Sequence, residues 1–235
     1  MDDSIPKPNA SLNGGSGRST DPKPVYAGNA VPFAALLDVH DDCDLTLVAW
    51  ARALEIRDGQ TGQHCRRVAD LAVELAVALG IPTSNLIHIW RGALLHDIGK
   101  IEVPEAILRK PVQLSIEEWR IMRQHPVFAY ELLKDIAYLR PALDIPYCHH
   151  EWWDGSGYPR GLKGEQIPLA ARLYAVVDVW DAMRADRPYR KGSSDEIARM
   201  YLSEQAGAQF DPAVVKTFLA LKINDAFDER KPDGE

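Results

Sequence analysis

The chain has 235 residues, 46% hydrophobic and 26% charged, with a formal net charge of −7 and a pI near 5.5. That composition suits one globular domain, or at most two, and excludes both a disordered chain and a basic surface that wraps a nucleic-acid polymer. No apolar run approaches the roughly 18–20 residues that span a bilayer, which argues against a membrane partner.

The opening residues lack the basic and apolar regions of a signal peptide. Cys43, Cys65 and Cys148 form no disulfide framework and show no C-x-x-C spacing, so a reducing cytoplasm is the expected compartment. Residues 1–30 are rich in Pro, Gly, Ser, Asn and Asp without apolar periodicity and read as a flexible leader or linker.

Helical signals dominate from Val31 to Ile223. Leu47, Trp50, Ala51 and Leu54 mark one buried face. His64, Val68, Leu71, Leu75 and Leu79 form the stripe of a second helix, which stops at Gly80-Ile81-Pro82. Thr83 or Ser84 can cap a third helix, running through Ile87, Trp90, Leu94 and Leu95 to stop near Gly99. Ser115 and Glu118 form a capping box for a helix ending before Pro126, and Pro126 and Pro141 suit the first turns of two more. After a glycine-rich loop at 154–164, a helix is expected from Leu169 to Arg184, then a last pair starting near Ser193 or Ser194 and near Pro212. The 224–235 segment is a polar tail. No alternating strand pattern of useful length appears, so the class is all-α: a single helical domain over 31–223.

The histidines carry the chemistry. His96-Asp97 follows the apolar Ala93-Leu94-Leu95, where an ionised carboxylate is expensive without a cation and sits at the unfavourable end of a helix dipole. Asp97 therefore either ligates a metal or caps the following turn. His149-His150-Glu151 repeats the pattern after Pro141. Adjacent helical side chains diverge by about 100°, so both imidazoles converge only at a helix end or across two metals. Asp178 interrupts Tyr174-Ala175-Val176-Val177 and needs either a cation or a core hydrogen bond. His64 faces inward on its stripe, and His125 ends its helix before Pro126. Mixed imidazole and carboxylate ligands suit iron, manganese or zinc better than magnesium or calcium, and two metals bridged by one Asp would clamp a phosphodiester and generate hydroxide.

These residues resemble a known family. His64, then Leu95-His96-Asp97-Ile98-Gly99-Lys100, then Asp178 are similar to the pattern of the HD superfamily of metal-dependent phosphohydrolases. The run from His149 through Trp152-Trp153-Asp154-Gly155-Ser156-Gly157-Tyr158-Pro159 resembles the signature of its HD-GYP subfamily. Arg57-Asp58, Leu108-Arg109-Lys110-Pro111, Asp178-Val179-Trp180-Asp181-Ala182, Arg187-Pro188-Tyr189-Arg190 and Phe210-Asp211-Pro212 follow in the family's order. The resemblance spans roughly Thr46 to Phe218. It implies a bacterial signalling hydrolase acting on cyclic di-GMP, through linear pGpG and in some members on to GMP, with protein signalling partners.

It also implies roles. His64, His96, Asp97 and Asp178 match the ligands of a first metal. Asp97 matches the bridge, and His125, His149 and His150 match ligands around a second metal. Iron or manganese is expected, with zinc a further candidate. Lys100 matches a lysine that contacts a substrate phosphate and would offset its charge during attack. Tyr158, Asp181, Arg187 and Arg190 match positions lining the ligand pocket, where the arginines can fork onto phosphate or guanine and Tyr158 can stack on a base. Asp181 and Arg187 alternatively form a structural ion pair.

Two other readings stand beside an active phosphodiesterase: a cyclic di-GMP sensor or scaffold without useful turnover, and a phosphohydrolase for another cyclic dinucleotide. The full ligand set plus Lys100 favours the enzyme. Some family members hold a third metal with a glutamate four residues before the first histidine; here that place is Gln60, and an amide is a much weaker ligand. Residues 1–40 show no receiver domain. Two metals per chain are expected, and Gln60→Glu should raise the count measured by elemental analysis. Three metals already on the wild-type chain would refute this.

Overall fold

The computed structural model describes residues 42–58, 64–185 and 191–221. They form ten α-helices: α1 Asp42–Asp58, α2 His64–Ala78, α3 Thr83–Leu94, α4 Glu105–Leu108, α5 Ile116–Met122, α6 His125–Leu133, α7 Asp144–Cys148, α8 Leu169–Arg184, α9 Asp195–Glu204 and α10 Pro212–Ala220. Short 3₁₀ turns join several of them, and no β-strand occurs among the described residues. None of their helices is long and apolar enough to cross a membrane.

The central element is α2. Val68, Ala69, Leu71, Ala72, Val73, Leu75 and Ala76 are all buried, so this helix meets neighbours on nearly every side. Its alanines keep it slim enough for α3 and α8 to pack closely against it. Gly80 ends it: at φ 75° it adopts the left-handed conformation, and Ile81 N–H donates to the Ala76 carbonyl at 3.0 Å. The other long core helix, α8, buries Leu173, Tyr174, Val176, Val177 and Trp180. Ion pairs tie the layers together. Arg91 of α3 forks onto the buried Asp44 of α1 at 2.7 and 3.0 Å, and Arg172 of α8 bonds Asp211 at 2.6 Å while Asp211 caps α10. Trp90 donates its indole N–H to Asp70 at 3.2 Å, joining α3 to α2.

The expected helices from Leu169 and Pro212 begin at those residues, Ser194 caps α9, and the Ser115–Glu118 capping box is formed. Several details differ. Trp50 is 42% exposed, because Leu47, Ala51 and Leu54 complete the buried stripe of α1 and leave it on the flank. Neither Thr83 nor Ser84 caps α3; Pro82 holds the N-cap position without a side-chain bond. That helix stops at Leu94, and Gly99 lies beyond it in a 3₁₀ turn over Ile98–Glu102. His125 opens α6 instead of closing α5, and Pro141 sits within a 3₁₀ turn over Ala137–Ala142.

Gly99 explains why the chain breaks after Leu94. A Cβ there would stand 1.9 Å from the His125 carbonyl oxygen, so the turn that follows Asp97 rests directly on the start of α6. Gly99→Ala should destabilise the fold by about 1–3 kcal/mol as backbone is forced apart. The check is a lower urea midpoint at unchanged slope; an unmoved midpoint would show that the contact can relax.

Candidate metal centre

Five elements converge on one buried cluster. The start of α2 supplies His64, and the turn after α3 supplies His96 and Asp97. His125 comes from the first turn of α6, His149 and His150 from the end of α7, and Asp178 from the middle of α8. Asp97, His125, His149 and His150 each offer an atom within 4.8 Å of the others, and so do His64, His96 and Asp178.

Asp97 stands between the two groups. Its Oδ1 lies 3.3 Å from His125 Nε2 and 3.8 Å from His149 Nε2, while Oδ2 lies 3.0 Å from His96 Nε2 and 2.7 Å from Lys100 Nζ. Burial alone would favour a neutral acid; the neighbouring His96 and Lys100 instead hold its pKa well below the usual range. Burial likewise opposes the Lys100 ammonium, but Asp97 and Asp58, the latter at 3.1 Å, raise its pKa and keep it charged.

The imidazoles are aimed from behind. His96 Nδ1 pairs with the Ala93 carbonyl at 2.9 Å, His125 Nδ1 with Met122 at 2.8 Å and His149 Nδ1 with Ile145 at 3.1 Å. A carbonyl only accepts, so each Nδ1 carries the proton and each Nε2 turns a lone pair inward. His64 Nδ1 meets Asp181 Oδ2 at 2.6 Å, and its Nε2 faces Asp178 Oδ1 at 3.4 Å. Burial and the adjoining imidazoles push the His149 pKa down to about 3 and lower His150 as well, so both stay neutral. At the opposite corner burial also disfavours charge, yet Asp178 and Asp181 raise His64 to about 10.

The donor set fits divalent cations. His125 Nε2 and His149 Nε2 approach to 3.4 Å beside a carboxylate oxygen, an arrangement of acceptors that a shared cation relieves. Behind them Tyr174 packs on His96 and His149 at ring separations of 5.0 and 6.0 Å, and its buried hydroxyl has no partner among the described residues.

Other expected site residues are placed differently. Asp181 has both oxygens engaged, since Arg67 forks onto them at 2.8 and 3.0 Å and His64 shares one. It positions His64 and is paired with Arg67. Tyr158 stacks on His150 at 4.7 Å, and the Arg123 guanidinium lies over the same ring at 5.3 Å. Gln60, Arg187 and Arg190 lie outside the described residues.

Sequence reasoning missed four supporting residues. Arg67 follows His64 by one helical turn. Glu55 accepts from the Cys65 N–H at 2.7 Å and fixes the start of α2. Arg57 donates to the Lys100 and Val103 carbonyls at 2.7 and 2.8 Å. Glu151 accepts from the Arg160 and Leu162 N–H groups at 2.7 and 2.9 Å, pinning the glycine-rich loop. Glu55 and Glu151 carried a readable signal, being single carboxylates within apolar or motif surroundings.

Asp181→Asn removes the charge that holds both His64 and Arg67. Manganese affinity, measured by chelator competition, should fall about 10- to 100-fold, the usual effect of losing a carboxylate behind a ligating histidine. Unchanged affinity would deny Asp181 this role.

A sequence model described as HD domain matches residues 49–214. The chain is 40% identical over 189 residues to the cyclic di-GMP phosphodiesterase response regulator RpfG of Xanthomonas campestris pv. campestris, covering 80% of this chain and 50% of that one. It is 39% identical over 183 residues to a cyclic di-GMP phosphodiesterase of Thermotoga maritima, covering 76% and 50%. A 3'3'-cGAMP-specific phosphodiesterase of Vibrio cholerae is 37% identical over 186 residues, covering 78% and 36%. The chain thus spans about half the length, or less, of these relatives. The crystal structure of a cyclic GMP-AMP specific phosphodiesterase from Vibrio cholerae shares the fold, with a TM-score of 0.57 at 19% identity over 74% of this chain and 47% of that one. The chain belongs to the HD-domain family.

Proposed function

We propose that the chain is a metal-dependent phosphodiesterase that opens cyclic di-GMP to linear pGpG. The observation that carries this reading is the division of the Asp97 carboxylate, one oxygen toward His125 and His149 and the other toward His96 and Lys100. Such a carboxylate suits a bridge between two cations, His64, His96 and Asp178 completing one site and His125, His149 and His150 the other. Two divalent ions held there, iron or manganese before zinc, would polarise a phosphodiester and lower the pKa of water.

The chain's own groups supply the remainder. Lys100, kept charged by Asp97 and Asp58, offers an ammonium to a phosphate oxygen where negative charge grows during attack. Tyr174, whose ring packs on His96 and His149, walls the centre on one side and strengthens the electrostatic contacts beside it. The glycine-rich loop brings Tyr158 onto the His150 ring, at the edge of the cluster. Buried thiols at Cys65 and Cys148 accord with a cytoplasmic location.

A second reading, hydrolysis of 3'3'-cGAMP, is favoured by the Vibrio cholerae relatives that bear that name. The test is to load the protein with manganese or iron, incubate it separately with each cyclic dinucleotide and resolve the products by chromatography. Cyclic di-GMP should yield pGpG, and Asp97→Ala should abolish the product. Tight binding without turnover would favour a sensor, and near-normal turnover by metal-loaded Asp97→Ala would defeat the bridged-metal reading.

A further inference from the structure

Arg123 is set apart from the other arginines around the centre. Arg57 donates to backbone carbonyls, Arg67 to Asp181 and Arg172 to Asp211. Among the described residues Arg123 has neither an ion pair nor a hydrogen bond from its side chain; its guanidinium lies over Tyr158 at 5.3 Å and over Trp119 at 6.0 Å. Trp119 and Arg123 are one helical turn apart at the end of α5, so they share a face. Two residues further, His125 enters the metal cluster. Trp119, Arg123, Tyr158 and His150 thus form a continuous ladder from an indole that is 47% exposed to the ligands of the second site.

We propose that Arg123 is a specificity-determining residue that reads the guanine edge of the dinucleotide at the mouth of the centre. This rests on the phosphodiesterase reading above. An arginine packed over aromatic faces is stabilised as a cation while its N–H donors stay available. Those donors match two acceptors side by side, the O6 and N7 of guanine; adenine presents a donor beside its N7 and is refused. Lys100 lies inside, on Asp97, and serves the phosphate, so the outer cation is left for the base. The exposed Trp119 ring offers the flat apolar surface on which that base can lie once Arg123 turns to meet it. The curated relatives act, by their names, on cyclic di-GMP or 3'3'-cGAMP, each of which contains guanine.

The experiment compares manganese-loaded wild type with Arg123→Ala and Arg123→Lys. Initial rates on cyclic di-GMP give KM and kcat, and cyclic di-AMP serves as competitor. Arg123→Ala should raise KM about tenfold with kcat within about twofold, the loss of one forked base contact. Lysine keeps the charge without the fork and should not restore KM. The weak inhibition by cyclic di-AMP should stay the same in all three proteins. An unchanged KM, full rescue by lysine, or an equal loss for both dinucleotides would overturn the assignment, the last two pointing to phosphate. If the wild type binds cyclic di-GMP without cleaving it, the enzymatic reading fails alone, and dissociation constants from calorimetry replace KM with the same expected ratios. If the wild type does not bind cyclic di-GMP at all, both readings fall.

Discussion

A buried carboxylate that cannot be left without cations organises this fold. Asp97 sits in a turn immediately behind the most apolar stretch of α3, and that turn, α6 and the end of α7 each contribute a group that faces its carboxylate. Lys100 does so from one turn further along the same segment. His125 is brought up because Gly99 lets that turn rest on the backbone of α6. The chain therefore trades a regular α3 for an irregular 3₁₀ turn, and the shape of that turn decides where two helices can dock.

The histidines use the same device three times. His96, His125 and His149 each lie within a few residues beyond the last residue of a helix: α3, α5 and α7. The final carbonyls of a helix have no partner within it. Ala93, Met122 and Ile145 supply such carbonyls to the Nδ1 atoms. That bond selects the tautomer and turns Nε2 inward. Short helices serve this purpose as well as long ones, which explains why segments as brief as α7 are ordered around the site. His64, at the opposite end of its helix, has no such carbonyl and takes Asp181 instead.

The all-α class and the convergence of the histidines were legible because they rest on local patterns: apolar stripes of period 3.6, helix-start signals at Ser115, Ser194 and Pro212, and motifs in contiguous runs. The misplaced details depend on distant contacts. Nothing near Leu94 signals that α3 stops there, nor that the turn beyond it rests at Gly99 on the His125 carbonyl from another part of the chain. Trp50 has the spacing of a core residue but falls beside the stripe that α2 and α3 cover. The pairing of Asp181 was not legible, because its partner Arg67 lies on another helix. Arg123 was invisible for the same reason, since its meaning comes from Tyr158, which the glycine-rich loop delivers from a separate part of the chain.

That loop shows why the signature is long. Glu151 follows directly on two metal-ligand candidates, yet its carboxylate is spent on the Arg160 and Leu162 N–H groups. The loop also returns to the centre through the Tyr158 N–H, which donates to the His150 carbonyl at 3.0 Å, and through Gly157, where a Cβ would stand 2.2 Å from the Trp152 nitrogen. Its far side is held by the turn before α10, with Trp153 N–H on Gln209 and Asp154 N–H on Ala208 at 3.1 and 2.9 Å. The backbone that presents Tyr158 is therefore fixed to the helix end that presents His149 and His150. Any shift of the imidazoles carries the aromatic ladder with it, so the register between Tyr158 and the imidazoles is set by the fold itself. Chemistry alone requires only the histidines and aspartates; holding the register requires the residues between them.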